Sequence, residues 1–114
     1  MATKIDAALA DILSELIAID AATARRSIDE FRSDWLFRRG VERGIEIISE
    51  ASRRLPPDIQ QTRPEIPWKK IMGIGNVLRH EYHRTVDQVV WRVVTEDPPP
   101  LRIAIEAIRA NRRT

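Results

Sequence analysis

The chain has 114 residues and a mass of 13.1 kDa, a length that allows one domain with one hydrophobic core over residues 1–114. Hydrophobic residues make up 43% and charged residues 32%, which is typical of globular proteins and excludes a disordered or low-complexity chain. Aromatic residues reach only 5%, and the abundance of Ala, Leu, Glu and Arg favours helices over a β-sandwich. We therefore expect an all-α domain.

The sequence contains no cysteine, which excludes disulfides, thiolate zinc sites, iron–sulfur clusters and cysteine nucleophiles. A reducing cytoplasm suits such a chain. No apolar run approaches the roughly 20 residues that a membrane-spanning helix needs, and the acidic residues near the N-terminus are unlike a signal peptide. The sequence predicts a soluble cytoplasmic protein with no membrane partner.

The net charge is only +2, from 19 basic and 17 acidic residues, but the charges are unevenly distributed. The segment 68–84 combines four Lys or Arg side chains and two His side chains with a single Glu. Such a segment is expected to attract an anion. The same pattern is also found on ordinary solvated helix faces.

Apolar residues that recur every three or four positions predict five helices. The first, over residues 4–22, begins at Thr3 and Asp6, which have the spacing of a capping box. Ser27 and Glu30 form a second capping signal, and a long second helix is predicted after it.

The second helix is predicted over residues 34–55, where two prolines end it. Its apolar spacing matches that of the first helix, so the two are expected to pack side by side at a shallow angle. Gly40 and Gly44 would permit close approach on one flank. Residues 56–67 contain four prolines and no periodicity, which predicts a connecting loop.

The second half of the chain predicts three further helices. Pro67 suits the first helical position of a third helix, which then runs through residues 68–83. The following segment is rich in β-branched residues and is ambiguous, but a lone strand would have no partner, so a helix over residues 86–95 is preferred. Three prolines mark a corner before a last helix over residues 100–111.

The third helix carries the candidate chemistry. Asn76 and His80 are four residues apart and share one face of the helix, while Arg79 and His83 lie on a neighbouring strip. Such a group suits cleavage of RNA without a metal, because a histidine exchanges protons with the 2′-hydroxyl or the leaving 5′-oxygen and an arginine stabilises the charge on phosphorus. Alternatively, the histidines only flank the helix end. An unperturbed imidazole changes charge near pH 6.5, so any such activity should depend on pH.

The run IPWKKIMGIGNVLRHEYHRTVDQVVWRVV over residues 66–94, preceded by VERGIEIISEASRRL over residues 41–55, resembles the HepT-like branch of the HEPN ribonucleases. The IPW, GxxN, HxY and VDxxVW elements occur in order, and the resemblance covers nearly the whole chain. It implies an up-and-down four-helix bundle of the HEPN type with a short additional helix. It also implies a homodimer that brings two copies of the 68–83 helix to one cleft.

The family's signature is Arg-Asn, three residues, His, one residue and Tyr. Asn76, His80 and Tyr82 match it, whereas Gly75 occupies the position of the catalytic arginine. The resemblance implies that Tyr82 accepts adenylyl groups from a minimal nucleotidyltransferase antitoxin, which neutralises the toxin. Without that role, Tyr82 would be a core or dimer-interface aromatic residue.

Supporting roles are predicted for residues around this helix. Glu46 and Glu50 are candidates to orient His80 or Arg79, or else they pair with Arg43, Arg53 or Arg54. Trp68 and Trp91 are expected to anchor the core or an interface instead of stacking on bases. Candidate contacts to RNA phosphates are Lys69, Lys70, His83, Arg84 and the arginine-rich C-terminus.

Three hypotheses follow. The first is a metal-independent endoribonuclease toxin of a type VII-like toxin–antitoxin pair that cleaves cellular RNA such as transfer RNA, with no cofactor. In it, His80 transfers protons, Asn76 positions the substrate and Arg79 replaces the missing cation. The second is a degenerate homologue, disabled by Gly75, which binds RNA or the nucleotidyltransferase without cutting. The third is a purely structural helical dimer.

Overall fold

A computed structural model describes the backbone of residues 3–80, 84–96 and 98–113, with side chains for all of these except residues 79, 80, 84–86, 98 and 113. Within these ranges the chain forms seven helices and no strand. The helices are α1 (Lys4–Thr23), α2 (Ile28–Ser33), α3 (Trp35–Arg53), α4 (Pro57–Gln61), α5 (Trp68–His80), α6 (Arg84–Glu96) and α7 (Pro98–Arg113). The predicted all-α class is confirmed, and two short helices, α2 and α4, are added to the five that the sequence predicts.

Helix α1 begins at the predicted capping box. The Thr3 hydroxyl accepts from the backbone N–H of Asp6 at 3.1 Å, and the Asp6 carboxylate accepts from the backbone N–H of Thr3 at 3.1 Å. The helix ends at Thr23, and Arg25 then adopts a left-handed backbone with φ of 62°. This conformation turns the chain towards the next helix.

The second capping signal starts a different helix from the one predicted. The Ser27 and Glu30 pair caps the six-residue helix α2. The chain is then extended at Asp34, whose carboxylate accepts from the backbone N–H of Phe37 at 3.1 Å and caps α3. Because the two capping residues Ser27 and Asp34 lie close together in the sequence, the region contains two helices.

The connection before α5 is more ordered than the predicted loop, since it contains α4. Pro57 suits the first turn of that helix, because its ring presets φ and its missing N–H has no helical partner there. The indole N–H of Trp68 lies 3.0 Å from the carbonyls of both Gln60 and Arg63 and holds the connection against the start of α5. Pro67 precedes α5, which begins at Trp68, so its predicted place inside the helix is wrong by one position.

The ambiguous β-branched segment is helical. In α6, Asp87, Val90 and Val94 recur at spacings of three and four residues, and all three are buried. Burial of one face therefore outweighs the local preference of Val and Thr for strands. The three prolines after it form the first turn of α7, so this helix begins two residues earlier than predicted. Their missing N–H groups leave no helical hydrogen bond unmade there.

The core lies between α1 and α3, which pack side by side; α5 covers α3, while α6 and α7 cover α1. Gly44 permits close approach, because a Cβ atom there would lie 2.9 Å from Ile19 Cδ1. Gly40 faces open space and serves no such contact, so the predicted role of the two glycines holds for one of them. No helix in the described ranges is long and apolar enough to cross a membrane.

Candidate active site

Helix α5 carries two of the residues that match the signature given above, Asn76 and His80. It is continuous through His80, so Asn76 and His80 lie four residues, or about 6 Å of helix rise, apart. Asn76 is exposed and Gly75 is buried. The side chains of Arg79, His80 and Arg84, and the residues Tyr82 and His83, lie outside the described part of the structure, and their clustering stays a prediction.

The Met72 carbonyl of α5 is hydrogen-bonded to two side chains of α3. The Met72 carbonyl accepts from the Ser49 hydroxyl at 2.8 Å and from Nε and Nη2 of Arg53 at 3.1 and 2.6 Å. Ser49 is buried. Gly75 follows about one helical turn after Met72, so these bonds hold α3 close to Gly75.

A polar cleft of about 330 Å³ opens between α3 and α5 at this point. It is lined by Gly75 and by five residues of α3: Arg43, Glu46, Ser49, Glu50 and Arg53. Arg43 and Glu46 form an ion pair at 3.4 Å. The structure thus places Glu46 and Glu50 beside Gly75, the position to which the resemblance assigns an arginine.

For the two arginines of the cleft, Arg43 and Arg53, the sequence predicts only ion pairs with Glu46 or Glu50 and no functional role. Arg43, Glu46, Glu50 and Arg53 are spaced by three, four and three residues, so they form one continuous polar stripe on α3. The spacing alone indicates that these four side chains share one face of α3. It does not indicate that this face lies against α5.

The basic residues proposed to contact phosphates differ in their surroundings. Lys69 and Lys70 are exposed in the first turn of α5, about 15 Å of helix rise from His80. Arg112 of the basic C-terminus donates to the Asp6 carboxylate at 2.9 Å and to the Thr3 hydroxyl at 3.1 Å. This arginine therefore ties α7 to the start of α1, and the phosphate contact proposed for the basic C-terminus stays a prediction.

The contact with Arg112 also changes the acidity of its partner. Hydrogen bonding by Arg112, and then by the backbone and hydroxyl of Thr3, holds the pKa of Asp6 well below its usual range. The carboxylate is thus stabilised in its charged form.

The VDxxVW element, residues 86–91, has a structural explanation in its described residues. Asp87 accepts from Nη2 of Arg38 at 2.5 Å and lies 3.7 Å from Nε of Arg32. The hydrogen bond from Asp87 raises the pKa of Arg38 above its ordinary value.

Trp91, at the end of this element, packs against Phe31 and Phe37, with ring centroids 5.7 and 6.1 Å apart. The element therefore anchors α6 on α2 and α3. Trp68 is 7% exposed, so both tryptophans pack inside the fold as predicted.

Taken together, the helices and the site define an all-α domain with a candidate RNA-cleaving motif on one helix beside a polar cleft. A family model, Ribonuclease HepT-like, matches residues 12–108. The chain belongs to this family of ribonucleases.

Several curated relatives support the assignment. The chain is 33% identical over 104 residues, covering 91% of this chain and 95% of the relative, to a protein of Methanocaldococcus jannaschii named as a candidate RNase. It is 34% identical over 101 residues to a protein of Thermococcus cleftensis named probable ribonuclease HepT, covering 89% of this chain and 92% of the relative. No solved structure matches the chain.

Proposed function

We propose that the protein is a metal-independent endoribonuclease that cleaves cellular RNA, with transfer RNA as the first substrate to test. The observation that carries the proposal is the family match over residues 12–108, which includes the whole of α5. The exposed Asn76 and the polar cleft at Gly75 support it, because they place polar groups along the helix that bears His80.

The proposed reaction is an internal transesterification. The 2′-oxygen attacks phosphorus and the bond to the 5′-oxygen breaks, which leaves a 2′,3′-cyclic phosphate and a 5′-hydroxyl. One proton leaves the 2′-hydroxyl and one is delivered to the 5′-oxygen, and His80 is the group proposed to transfer protons. Asn76 positions the phosphate, and Arg79 is the candidate on α5 for the cation that stabilises the added charge.

The reaction is proposed to take place in a homodimer. Two copies of α5 facing one cleft would supply two His80 side chains, one for each proton transfer. Lys69, Lys70, His83 and Arg84 would then contact phosphates along the RNA. The basic character of residues 68–84 supports this arrangement.

Regulation is proposed to follow the toxin–antitoxin scheme implied by the family. A minimal nucleotidyltransferase would attach adenylyl groups to Tyr82, adding bulk and negative charge at the RNA cleft. Like charges repel the RNA backbone, so the modified protein would no longer bind its substrate. Both partners would act in the cytoplasm.

A second candidate function is favoured by one specific residue. Gly75 lines the cleft where the family carries an arginine, and glycine supplies no cation. The alternative is therefore a degenerate homologue that binds RNA or a nucleotidyltransferase without cutting. Restoring the side chain with Gly75→Arg should create or strengthen cleavage if only the cation is missing.

The deciding experiment is cleavage of purified transfer RNA by the wild-type dimer in EDTA, beside His80→Ala purified in the same way. Cleavage that is lost in His80→Ala supports the endoribonuclease. Cleavage that persists in His80→Ala assigns the activity to a contaminant or another residue. No cleavage by folded, dimeric wild-type protein favours the degenerate binding module.

A further inference from the structure

The cleft beside Gly75 is lined by guanidinium groups of α3. Arg43 and Arg53 both line it. We propose that Arg53 binds an RNA phosphate in this cleft and supplies, from α3, the cation that Gly75 does not provide. This inference rests on the proposed action on RNA and adds a phosphate-binding residue to that site.

The orientation of Arg53 supports this role. Its Nε and Nη2 atoms donate to the Met72 carbonyl at 3.1 and 2.6 Å, so the guanidinium is held at a defined position on α5. A guanidinium carries five N–H donors in a planar fork, and the Met72 carbonyl engages two of them. The remaining donors suit the oxygens of a phosphate.

The position of Gly75 makes room for the ligand. Met72 and Gly75 are three residues apart, about 4.5 Å along the helix, so the held guanidinium lies within one turn of the glycine. Because glycine has no side chain, the wall of the cleft at this point is backbone. The volume of about 330 Å³ is some ten times the roughly 30 Å³ of a water molecule, which is enough for a phosphate and part of its ribose.

The charges in the cleft distinguish the two arginines. Arg43 is paired with Glu46 at 3.4 Å, so a carboxylate compensates its charge. Among the residues that the structure describes, the acceptor of Arg53 is the neutral Met72 carbonyl, which leaves the positive charge of Arg53 to act on an anion. Glu50 lines the same cleft and opposes the binding of a phosphate.

The test measures binding of a 2′-O-methyl RNA oligonucleotide, which cannot be cleaved through its 2′-oxygen, to the full chain by fluorescence anisotropy between about 50 and about 300 mM salt. Arg53→Gln should weaken binding about tenfold at low salt and reduce the salt slope by about one. Glu50→Gln should strengthen binding several-fold. Arg54→Gln is the matched control, because Arg54 pairs with Asp11 at 2.7 Å and does not line the cleft.

Two further variants separate charge from structure. Arg53→Lys keeps the charge without the planar fork, so it should retain the salt slope while losing part of the affinity. Gly75→Arg combined with Arg53→Gln should restore binding, which a merely structural role of Arg53 would not permit. Thermal unfolding of each variant verifies that it is folded.

The outcomes are separable from those of the cleavage experiment. Binding that depends on Arg53 in a protein that does not cut would overturn the endoribonuclease and keep the phosphate site. If Arg53→Gln and Arg54→Gln both bind the RNA as tightly as the wild type does, the phosphate site at Arg53 is overturned and Arg79 is left as the cation. Absence of RNA binding by the wild type at about 50 mM salt would also overturn the phosphate site.

Discussion

Arg38 of α3 and Asp87 of α6 form an ion pair with 2.5 Å between Nη2 and Oδ1. The Asp87 side chain is only 10% exposed, and the Arg38 side chain also lies over the ring of Phe31 at 5.0 Å. The pair therefore joins α6 to the N-terminal half of the fold at a site that water reaches poorly.

The first prediction concerns Asp87. Asp87→Ala should lower the free energy of unfolding by about 2–3 kcal/mol, because it leaves two arginines without their partly buried acceptor. Urea denaturation monitored by circular dichroism measures the change. Asp29→Ala is the control: Asp29 is 89% exposed and 3.7 Å from Arg32, so a loss below about 0.5 kcal/mol is expected. Equal losses in the two variants would contradict the structural role of Asp87.

The second prediction contrasts two glycines of α3. Gly40→Ala should raise the free energy of unfolding by about 1 kcal/mol, because alanine favours helix and the new Cβ meets no atom within 4 Å. Gly44→Val should lower it by roughly 1–3 kcal/mol, because the added atoms press against Ile19.

Denaturant midpoints of the two glycine variants, measured beside the wild type, provide the comparison. Stabilisation by Gly44→Val would show that α1 and α3 do not approach as closely as the structure indicates. A destabilised Gly40→Ala would show that this exposed position is covered in the assembled protein.

The third prediction concerns Arg25 at the end of α1. Its φ of 62° lies in the left-handed region, which costs a side-chain-bearing residue roughly 1 kcal/mol more than glycine. Arg25→Gly should therefore increase stability by up to about 1 kcal/mol, while Arg25→Val should decrease it. Calorimetric Tm values of both variants test this, and a less stable glycine variant would argue against the left-handed turn.

The fourth prediction follows from the low pKa of Asp6. A carboxyl whose pKa is lower in the folded chain than its ordinary 3.8 contributes stability above about pH 4, and this contribution is lost as the pH falls further. Asp6→Asn should therefore make Tm depend less on pH below about 4. Arg112→Gln should have the same effect, and the double variant should add little. An unchanged acid profile in both single variants would refute the coupling.

Much of the helical pattern was determined locally. The predicted ranges 4–22 and 34–55 differ from α1 and α3 by no more than two residues at either end, because apolar periodicity and capping are properties of neighbouring residues. The identity of the candidate residues Asn76 and His80 likewise came from their order along one segment. Local preference left the segment that forms α6 ambiguous, because valine and threonine favour strands. Its helical structure depends on burying one face against other helices.

The tertiary structure decided which faces meet. The spacing of Arg43, Glu46, Glu50 and Arg53 shows a polar stripe in the sequence, but only the packing of α3 on α5 turns that stripe into a cleft beside Gly75. The same packing separates Gly44, which contacts Ile19, from Gly40, which does not. Local spacing defines the faces of a helix, whereas the neighbour of each face depends on contacts between residues far apart in the chain.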